Sequence, residues 1–341
     1  MKALVLTEER TLALSERAAP SVTRPDDVIV RIRQTGVCGT DRSVLVGKFP
    51  AATGVVLGHE AVGVVEAVGP GAADLRPGDR VVANPTLYCG SCDACLRGRL
   101  NHCTRKTGNE VGIDRDGSYA EYLVLPEAFW HRIPDEISDD KAVLVEPLAC
   151  VLSNVDAARM TPGTPVTVLG GGPIGLLFAL VTTYLGSPTA LVEKDPFRRG
   201  FAEDLLGSGR NAPARVVGAA DPRAAAAPVV VDTVGSMLEI ALDLVAVGGT
   251  VVVMGYDSRA TSKVTPLDLL MRGITIVGAG DYNSHIFPRA LDLARFLPLE
   301  RLVTHRFALD RFDEALAALA GTGGGYAAQK VVIESRLEGA R

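Results

Sequence analysis

Apolar and polar residues alternate in short runs over the first 150 residues of the chain. These runs are rich in β-branched residues, and Gly, Pro and Asp separate them. A period of two between such turn residues is typical of antiparallel strands with one buried face. The pattern therefore predicts a β-rich domain of the barrel or sandwich type. The runs that carry it are DDVIVRIRQTG, AVGVVEAVGPG, LRPGDRVVAN and GSYAEYLVLP.

From residue 151 the pattern changes to unbroken apolar runs that alternate with helical segments. Such runs indicate strands buried on both faces, as in βαβ units of a parallel sheet, so the fold class is α/β. The segment 208–227 fits this pattern least well, and we interpret it as a loop or a short irregular helix. After about residue 285, FPRALDLARFL and LDRFDEALAALA predict amphipathic helices, and QKVVIES predicts a closing strand.

Length and charge narrow the class of protein. The 341 residues suggest about two domains, and the formal net charge of −5 argues against nucleic acid as a partner. The N-terminal sequence lacks the features of a signal peptide, and no run of about 18 apolar residues could span a membrane. We therefore predict a cytoplasmic protein, no membrane partner and reduced thiols.

Four of the six cysteines lie within the fifteen residues 89–103. Their spacing, C-x2-C-x2-C-x7-C, allows one loop to hold a zinc ion in a complete tetrahedral shell, which is typical of a structural site. A loop of free or redox-active thiols and a nucleic-acid-binding zinc ribbon are the alternatives, and the spacing and the few nearby basic residues disfavour them. The predicted ligands are Cys89, Cys92, Cys95 and Cys103.

A glycine-rich turn follows the apolar run VTVL. Its G-x-G-x-x-G pattern, between a strand and a helix, is typical of a loop that binds a dinucleotide pyrophosphate. Glu193 ends the next strand and could accept hydrogen bonds from the adenosine ribose, which favours NAD over NADP. Lys194, Arg198 and Arg199 leave NADP possible, and Arg198 could instead lie over the adenosine. The predicted cofactor-binding residues are Gly170, Gly172, Pro173, Ile174, Gly175, Glu193 and Arg198.

Three dispersed segments of the first half carry residues that commonly bind metal ions. Cys38, His59 and Glu146 could supply sulfur, nitrogen and oxygen ligands to one zinc ion with an open fourth position. Glu60, next to His59, is either an alternating ligand or an acid beside the ligands. Each residue also has an ordinary structural explanation, and their spacing alone does not decide between the two.

Several motifs of the chain resemble those of zinc-dependent medium-chain dehydrogenases/reductases and occur in the same order. The similarity covers nearly the whole chain. It is strongest to the polyol, sugar and threonine dehydrogenase branch. The resemblance implies a GroES-like catalytic domain at 1–150 and 285–341 and a Rossmann domain at 151–284. The motifs are VCGTD, GHEAVGVVEAVG, RPGDRVV, the four-cysteine lobe, GSYAEYLVLP, LVEPLA, GGGPIG and GGTVVVMG.

The resemblance also implies the roles of the site residues. Catalytic zinc would lie on Cys38, His59 and Glu146 with Glu60 close by, and structural zinc on the four clustered cysteines. Thr40 would hydrogen-bond the reacting oxygen and begin a proton relay, although capping a turn explains it equally well. Ser43 stands where many relatives have a proton-accepting histidine, which puts the outward path of the proton in doubt.

The implied activity is oxidation of a secondary alcohol of a sugar, polyol or cyclitol to a ketone, or the reverse, by hydride transfer to NAD. The alternatives are an amino-alcohol dehydrogenase of the threonine type, an NADP-linked carbonyl reductase, a zinc-free reductase of activated double bonds and a nonenzymatic zinc-binding regulatory relative. The apolar run ITIVGAG resembles the strand through which family members extend their sheets, so a homodimer or homotetramer is expected.

Overall fold

The structure, a computed structural model, describes residues 1–207, 213–218, 226–320 and 326–335. Within these ranges the chain divides into two compact units. The first contains Met1–Glu146, Asn283–Leu319 and the last described strand, and the second contains Pro147–Tyr282 and residues 326–329. Residues 326–329, which the sequence places in the first domain, thus belong to the second unit, where the guanidinium of Arg198 lies over the ring of Tyr326.

The first unit is rich in strands, as the alternating pattern predicts. Its strands are β1 (Lys2–Leu6), β2 (Leu12–Glu16), β3 (Asp27–Gly36), β4 (Glu60–Val68), β5 (Arg80–Ala83), β6 (Tyr122–Pro126), β7 (Trp130–Arg132), β14 (Val303–Ala308) and β15 (Lys330–Glu334). Among the described residues β1 and β2 form a hairpin sheet, and a larger sheet has the order β14-β15-β3-β4-β5-β7, with β6 also paired to β3.

Strand β3 organises the larger sheet because it pairs with three other strands. Its first half lies antiparallel to β6, its end lies antiparallel to β15, and β4 runs along its other side. Alternate residues Val28, Val30 and Ile32 of β3 enter one core together with Ala61 and Val65 of β4. These alternate residues share one face of the strand, and Asp27 and Ile29 on its other face are buried as well.

The second unit is built on a parallel sheet. Its strands are β8 (Val166–Leu169), β9 (Thr189–Val192), β10 (Ala214–Val217), β11 (Ala227–Asp232), β12 (Val245–Val253) and β13 (Thr275–Val277). Among the described residues they lie in the order β10-β9-β8-β11-β12-β13, and every pairing is parallel. The order reverses direction between β8 and β11, which is the topological switch point where open α/β sheets bind their ligands.

Helices connect the strands of both units. They are α1 (Gly39–Leu45), α2 (Asp93–Leu96), α3 (Asp139–Ala142), α4 (Val145–Ala157), α5 (Pro173–Tyr184), α6 (Pro196–Gly207), α7 (Leu238–Leu244), α8 (Pro266–Arg272), α9 (Ile286–Ala294) and α10 (Phe312–Ala320). The two amphipathic helices predicted after residue 285 are α9 and α10, and the predicted closing strand is β15. No helix among the described residues has the length and apolar character that a membrane crossing requires.

The prediction for segment 208–227 is wrong in part. Ala214–Val217 forms the edge strand β10, which pairs in parallel register with β9. The strand is only four residues long, so its period could not be recognised in the sequence, and its neighbour β9 supplies the pairing that fixes it. Residues 208–212 and 219–225 lie outside the described part of the chain.

Candidate functional site

Cys38, His59 and Glu60 come together because β3 and β4 pair antiparallel. Gly36, the last residue of β3, lies opposite Glu60, the first residue of β4. Cys38 follows β3 as the N-cap residue of α1, and His59 immediately precedes β4. One ligand atom from each of Cys38, His59 and Glu60 lies within 4.8 Å of the other two. Sulfur, nitrogen and oxygen donors at this separation suit a zinc ion.

The electrostatics of this cluster favour a cation. Burial alone would lower the pKa of His59, but the sulfur of Cys38 and the carboxylates of Asp41 and Glu146 raise that pKa well above its ordinary value. Nδ1 of His59 is buried and has no hydrogen-bond partner among the described residues. Negative charge around an imidazole whose Nδ1 atom has no hydrogen-bond partner in the described part of the chain is the environment that a divalent metal ion would neutralise.

Glu146 lies in the first turn of α4 and is 7% exposed. It is not a member of the group whose ligand atoms lie within 4.8 Å of one another. Its charge nevertheless reaches His59, whose pKa it helps to raise. Of the four predicted residues, the structure thus brings Cys38, His59 and Glu60 together and leaves Glu146 beside them.

Thr40 and Ser43 lie on α1, directly after Cys38. The Oγ1 atom of Thr40 is 3.5 Å from Sγ of Cys38, so its hydroxyl borders the cluster of Cys38, His59 and Glu60. Ser43 is one helical turn further along, and both side chains are half-buried. The position of Thr40 is compatible with the predicted hydrogen bond to a reacting oxygen.

The sequence did not predict that Asp41 and Tyr119 lie close to His59. Oδ2 of Asp41 accepts hydrogen bonds from the Tyr119 hydroxyl at 2.7 Å and from the Cys38 N–H at 2.9 Å, and Oδ1 of Asp41 lies 3.8 Å from Nδ1 of His59. Burial, followed by the negative charge of Asp41, raises the pKa of Tyr119 well above its usual value. Asp41 lies in the motif CGTD, which was the available signal for its position.

Lys330 is the third residue that was missed. It begins β15, is 3% exposed, and forms an ion pair with Glu60. A lysine at the start of the apolar run KVVIE gave little indication of a buried site residue, because a lysine at a strand end normally extends into solvent.

The four-cysteine lobe forms a second group of side chains that could hold a metal ion. One sulfur from each of its four cysteines lies within 4.8 Å of the others. Sγ of Cys92 is 3.5 Å from that of Cys95 and 4.0 Å from that of Cys103, and no disulfide joins them. N–H groups of Cys95 and Thr104 lower the pKa of Cys92 to about 5, whereas burial and the neighbouring thiol of Cys92 raise the pKa of Cys95 to about 12. The arrangement fits a closed tetrahedral zinc site.

The glycine-rich turn joins β8 to α5. Gly172 is the N-cap of α5, and Pro173 occupies the first turn, where a missing N–H costs no hydrogen bond. A Cβ atom on Gly175 would lie 1.9 Å from the carbonyl oxygen of Gly170, so the turn closes only with glycine at this position. The free N–H groups at the start of α5 form the kind of site that binds a pyrophosphate.

Glu193 and Arg198 have contacts that the sequence did not predict. The Oε2 atom of Glu193 accepts the Gly171 N–H at 2.7 Å, and Oε1 accepts the N–H groups of Lys194 and Asp195 at 2.7 and 2.8 Å. Glu193 therefore holds the glycine-rich turn itself. The guanidinium carbon of Arg198 lies 3.3 Å from the ring centroid of Tyr326, a cation–π contact beside Gly172.

Known proteins similar to this chain identify its family. The model of the alcohol dehydrogenase GroES-like domain matches residues 24–135, and the model of the zinc-binding dehydrogenase matches residues 173–295. D-xylulose reductase A of Aspergillus niger is 30% identical over 298 residues, which are 82% of this chain and 83% of that protein. The chain belongs to the zinc-binding dehydrogenases of the alcohol dehydrogenase family.

Comparison with solved structures of other proteins supports the same family. A Sinorhizobium meliloti 1021 protein assigned to the zinc-binding dehydrogenases, solved with bound NADP, matches with a TM-score of 0.87 and 30% identity over 98% of both chains. An alcohol dehydrogenase of Thermus sp. ATN1 matches with a TM-score of 0.84 and 29% identity over 98% of this chain and 100% of that one. The predicted GroES-like and Rossmann folds are confirmed, and the chain is a zinc-dependent, NAD(P)-dependent oxidoreductase.

Proposed function

We propose that this enzyme oxidises a secondary alcohol of a sugar, polyol or cyclitol to the ketone, or catalyses the reverse reduction, with NAD as its cofactor. The main support for this chemistry is that ligand atoms of Cys38, His59 and Glu60 lie within 4.8 Å of one another. Similarity to D-xylulose reductase A of Aspergillus niger supports a polyhydroxylated substrate. The reaction converts the alcohol and NAD⁺ into the ketone, NADH and a proton.

We assign the catalytic metal to Cys38 and His59, with Glu146 and Glu60 as the carboxylates that complete its surroundings. The zinc ion, when bound, supplies Lewis acidity that favours loss of the substrate's hydroxyl proton near neutral pH. We assign the structural zinc to Cys89, Cys92, Cys95 and Cys103.

The chain's own residues orient the substrate and move its proton. Oγ1 of Thr40, which borders Cys38, accepts a hydrogen bond from the substrate hydroxyl and passes its own proton onward as it takes up that of the substrate. Ser43 cannot store that proton near pH 7, because a serine hydroxyl does not titrate there. We infer that the proton leaves Thr40 through solvent. The glycine-rich turn with Glu193 binds the dinucleotide, and the carboxylate charge disfavours a ribose 2′-phosphate.

A panel of alcohols tests the substrate class. Reduction of NAD and of NADP would be followed with xylitol, sorbitol, myo-inositol, L-threonine and 1-propanol. We expect the highest kcat/KM with a polyol or cyclitol and NAD, and a ketone product identified by mass spectrometry. A preference for threonine or for the primary alcohol would contradict the proposed substrate class, and turnover with NADP alone would contradict the cofactor assignment.

We further propose that the enzyme forms a homodimer through β13 and α8. Strand β13 is the edge of the parallel sheet, and on α8 the apolar side chains of Leu267, Leu270 and Met271 are 62–76% exposed. Exposed apolar patches beside an open strand edge favour pairing of copies. We expect Leu270→Glu to yield monomers in light scattering. Phe296→Glu, at another exposed site, is the matched control, and an unchanged mass for Leu270→Glu would contradict this interface.

We propose a cytoplasmic location, since clustered cysteines that bind metal instead of forming disulfides are typical of reducing compartments. Fractionation of the native cells tests it, and recovery of the protein from an oxidising compartment would contradict it.

A further inference from the structure

A buried lysine lies next to the proposed metal ligands. Lys330 is 3% exposed, and it is the one buried lysine among the described residues. Its ammonium group forms an ion pair with Oε2 of Glu60, which is itself 1% exposed, and donates a 3.1 Å hydrogen bond to the carbonyl oxygen of Val37. A buried charge pair is expensive to desolvate and is weak evidence for stability, so its position beside the proposed metal ligands suggests a role there.

Three strands bring this pair together. Gly36 at the end of β3 pairs with Val332 of β15 on one side and with Glu60 of β4 on the other. A Cβ atom on Gly36 would lie 2.0 Å from Oε2 of Glu60 and 2.8 Å from Cε of Lys330. The absence of a side chain at Gly36 therefore leaves the space in which Lys330 reaches Glu60.

The pair belongs electrostatically to the metal-ligand cluster. Burial disfavours the ammonium charge, but Glu60, Cys38 and Glu146 together raise the pKa of Lys330 above its ordinary value. The ion pair sets the side-chain nitrogen of Lys330 against Glu60, and Cys38 and Glu146 lie close enough to interact with that nitrogen. The ammonium group of Lys330 and a bound metal ion would both attract the carboxylate of Glu60, so each would weaken the interaction of the other with this carboxylate.

We propose that Lys330 is a positioning residue that holds Glu60 beside the catalytic metal and keeps this carboxylate from becoming a permanent ligand. This inference rests on the metal site proposed above. Competition from the ammonium keeps one coordination position available for the substrate oxygen, while Glu60 stays near enough to occupy that position when no substrate is bound. Lys330 also offsets the surplus negative charge of Cys38, Glu60 and Glu146.

Removing the charge of Lys330 while keeping its length tests the proposal. In Lys330→Met, Glu60 has no competing cation, so it should bind the metal more firmly. We expect the catalytic zinc to be transferred to a chromogenic chelator about tenfold more slowly, in the range by which residues behind metal ligands change affinity. When Co²⁺ replaces this zinc, the visible absorption bands of the variant should weaken, as added coordination lowers their intensity.

Further variants separate this role from a structural one. Lys330→Arg keeps the charge and should release zinc at the wild-type rate. Lys330→Gln keeps an N–H donor without the charge, and should show the slowed release even if Lys330→Met does not fold. Lys141→Met, which removes a lysine paired with Glu300, is the matched control and should behave as wild type.

The outcomes also distinguish this inference from the proposed function. Wild-type protein that binds only one zinc ion would contradict the catalytic metal site itself. Wild-type protein with two zinc ions, combined with unchanged or faster zinc release in Lys330→Gln and an unchanged cobalt spectrum, would contradict the role of Lys330 and leave the metal site intact.

Discussion

The hydroxyl of Tyr119 donates a 2.7 Å hydrogen bond to Oδ2 of Asp41, and both side chains are fully buried. Oδ1 of the same carboxylate lies 3.8 Å from the ring of His59. The Asp41 carboxylate thus lies between a buried tyrosine and His59, the histidine to which we assign the catalytic metal, and its charge helps to raise the pKa of that imidazole.

Tyr119→Phe tests this connection. The variant keeps the ring, whose centroid lies 5.1 Å from that of Phe312, and removes one hydrogen bond from a buried carboxylate. We expect unfolding free energy to fall by about 1–3 kcal/mol and zinc to be released several times faster. Urea unfolding measures the free energy of unfolding, and transfer of zinc to a chelator measures the rate of zinc release. Tyr88→Phe, at a half-buried tyrosine, is the control, and equal zinc release in the two variants would contradict a link from Tyr119 to His59.

Cys95→Ser should remove the structural zinc alone. Cys95 is a buried member of the four-cysteine group, and a three-thiolate site binds zinc far more weakly. We expect metal analysis to show one zinc ion per chain in place of two, with a Tm lower by roughly 5–10 °C because metal binding adds to folding free energy. Cys150→Ser, outside both ligand groups, should keep two zinc ions. Full zinc content in Cys95→Ser would refute the assignment.

Glu193→Ala should weaken cofactor binding. Its carboxylate accepts the N–H of Gly171, so its loss loosens the glycine-rich turn and removes a charge that repels a 2′-phosphate. We expect KM for NAD to rise about tenfold with little change in kcat, and KM for NADP to rise less. Steady-state kinetics measure both KM values. Glu203→Ala is the control, because Glu203 is an exposed glutamate on α6. An unchanged ratio of the two KM values would argue against a role in cofactor choice.

His131 should make stability depend on pH. Burial, with the ring stacked at 4.6 Å on Phe287, lowers the pKa of His131 from 6.5 to about 4. The unfolded chain therefore binds this proton at a higher pH than the folded chain does. Stability from this group is fully present above about pH 6.5 and decreases as the pH falls toward 4, by roughly 2–3 kcal/mol.

His131→Phe keeps the stack and removes the titration. Urea unfolding at several pH values should show that the variant loses less stability than wild type between pH 6.5 and 4. Parallel pH curves for the two proteins would contradict a depressed pKa.

The sequence predicted those parts of the site whose residues are close together in the chain. The four cysteines of 89–103 and the turn from Gly170 to Gly175 carry their geometry in their spacing, because each is one loop. Cys38 and His59 could be joined only by resemblance to a family, since the register of β3 against β4 is what brings them together.

Lys330 could not have been predicted in this way. It contacts Glu60, 270 positions earlier in the chain, through the pairing of β15 with β3. The residues next to Lys330 in the sequence predict only the start of an ordinary strand. Similarly, β10 became recognisable only through its pairing with β9. Contacts between residues distant in sequence depend on register and packing, which local periodicity does not encode.

Hydride transfer at the site of Cys38 is tested most directly with a polyol deuterated at its secondary carbinol carbon. Wild-type protein with two zinc ions per chain should form NADH that carries one deuterium atom, identified by mass spectrometry. Cys38→Ser should retain one zinc ion and form labelled NADH at least roughly 1,000-fold more slowly, because Lewis-acid stabilisation of several kcal/mol is lost. Labelled NADH formed at the wild-type rate by the one-zinc variant would contradict catalysis by a metal ion bound there.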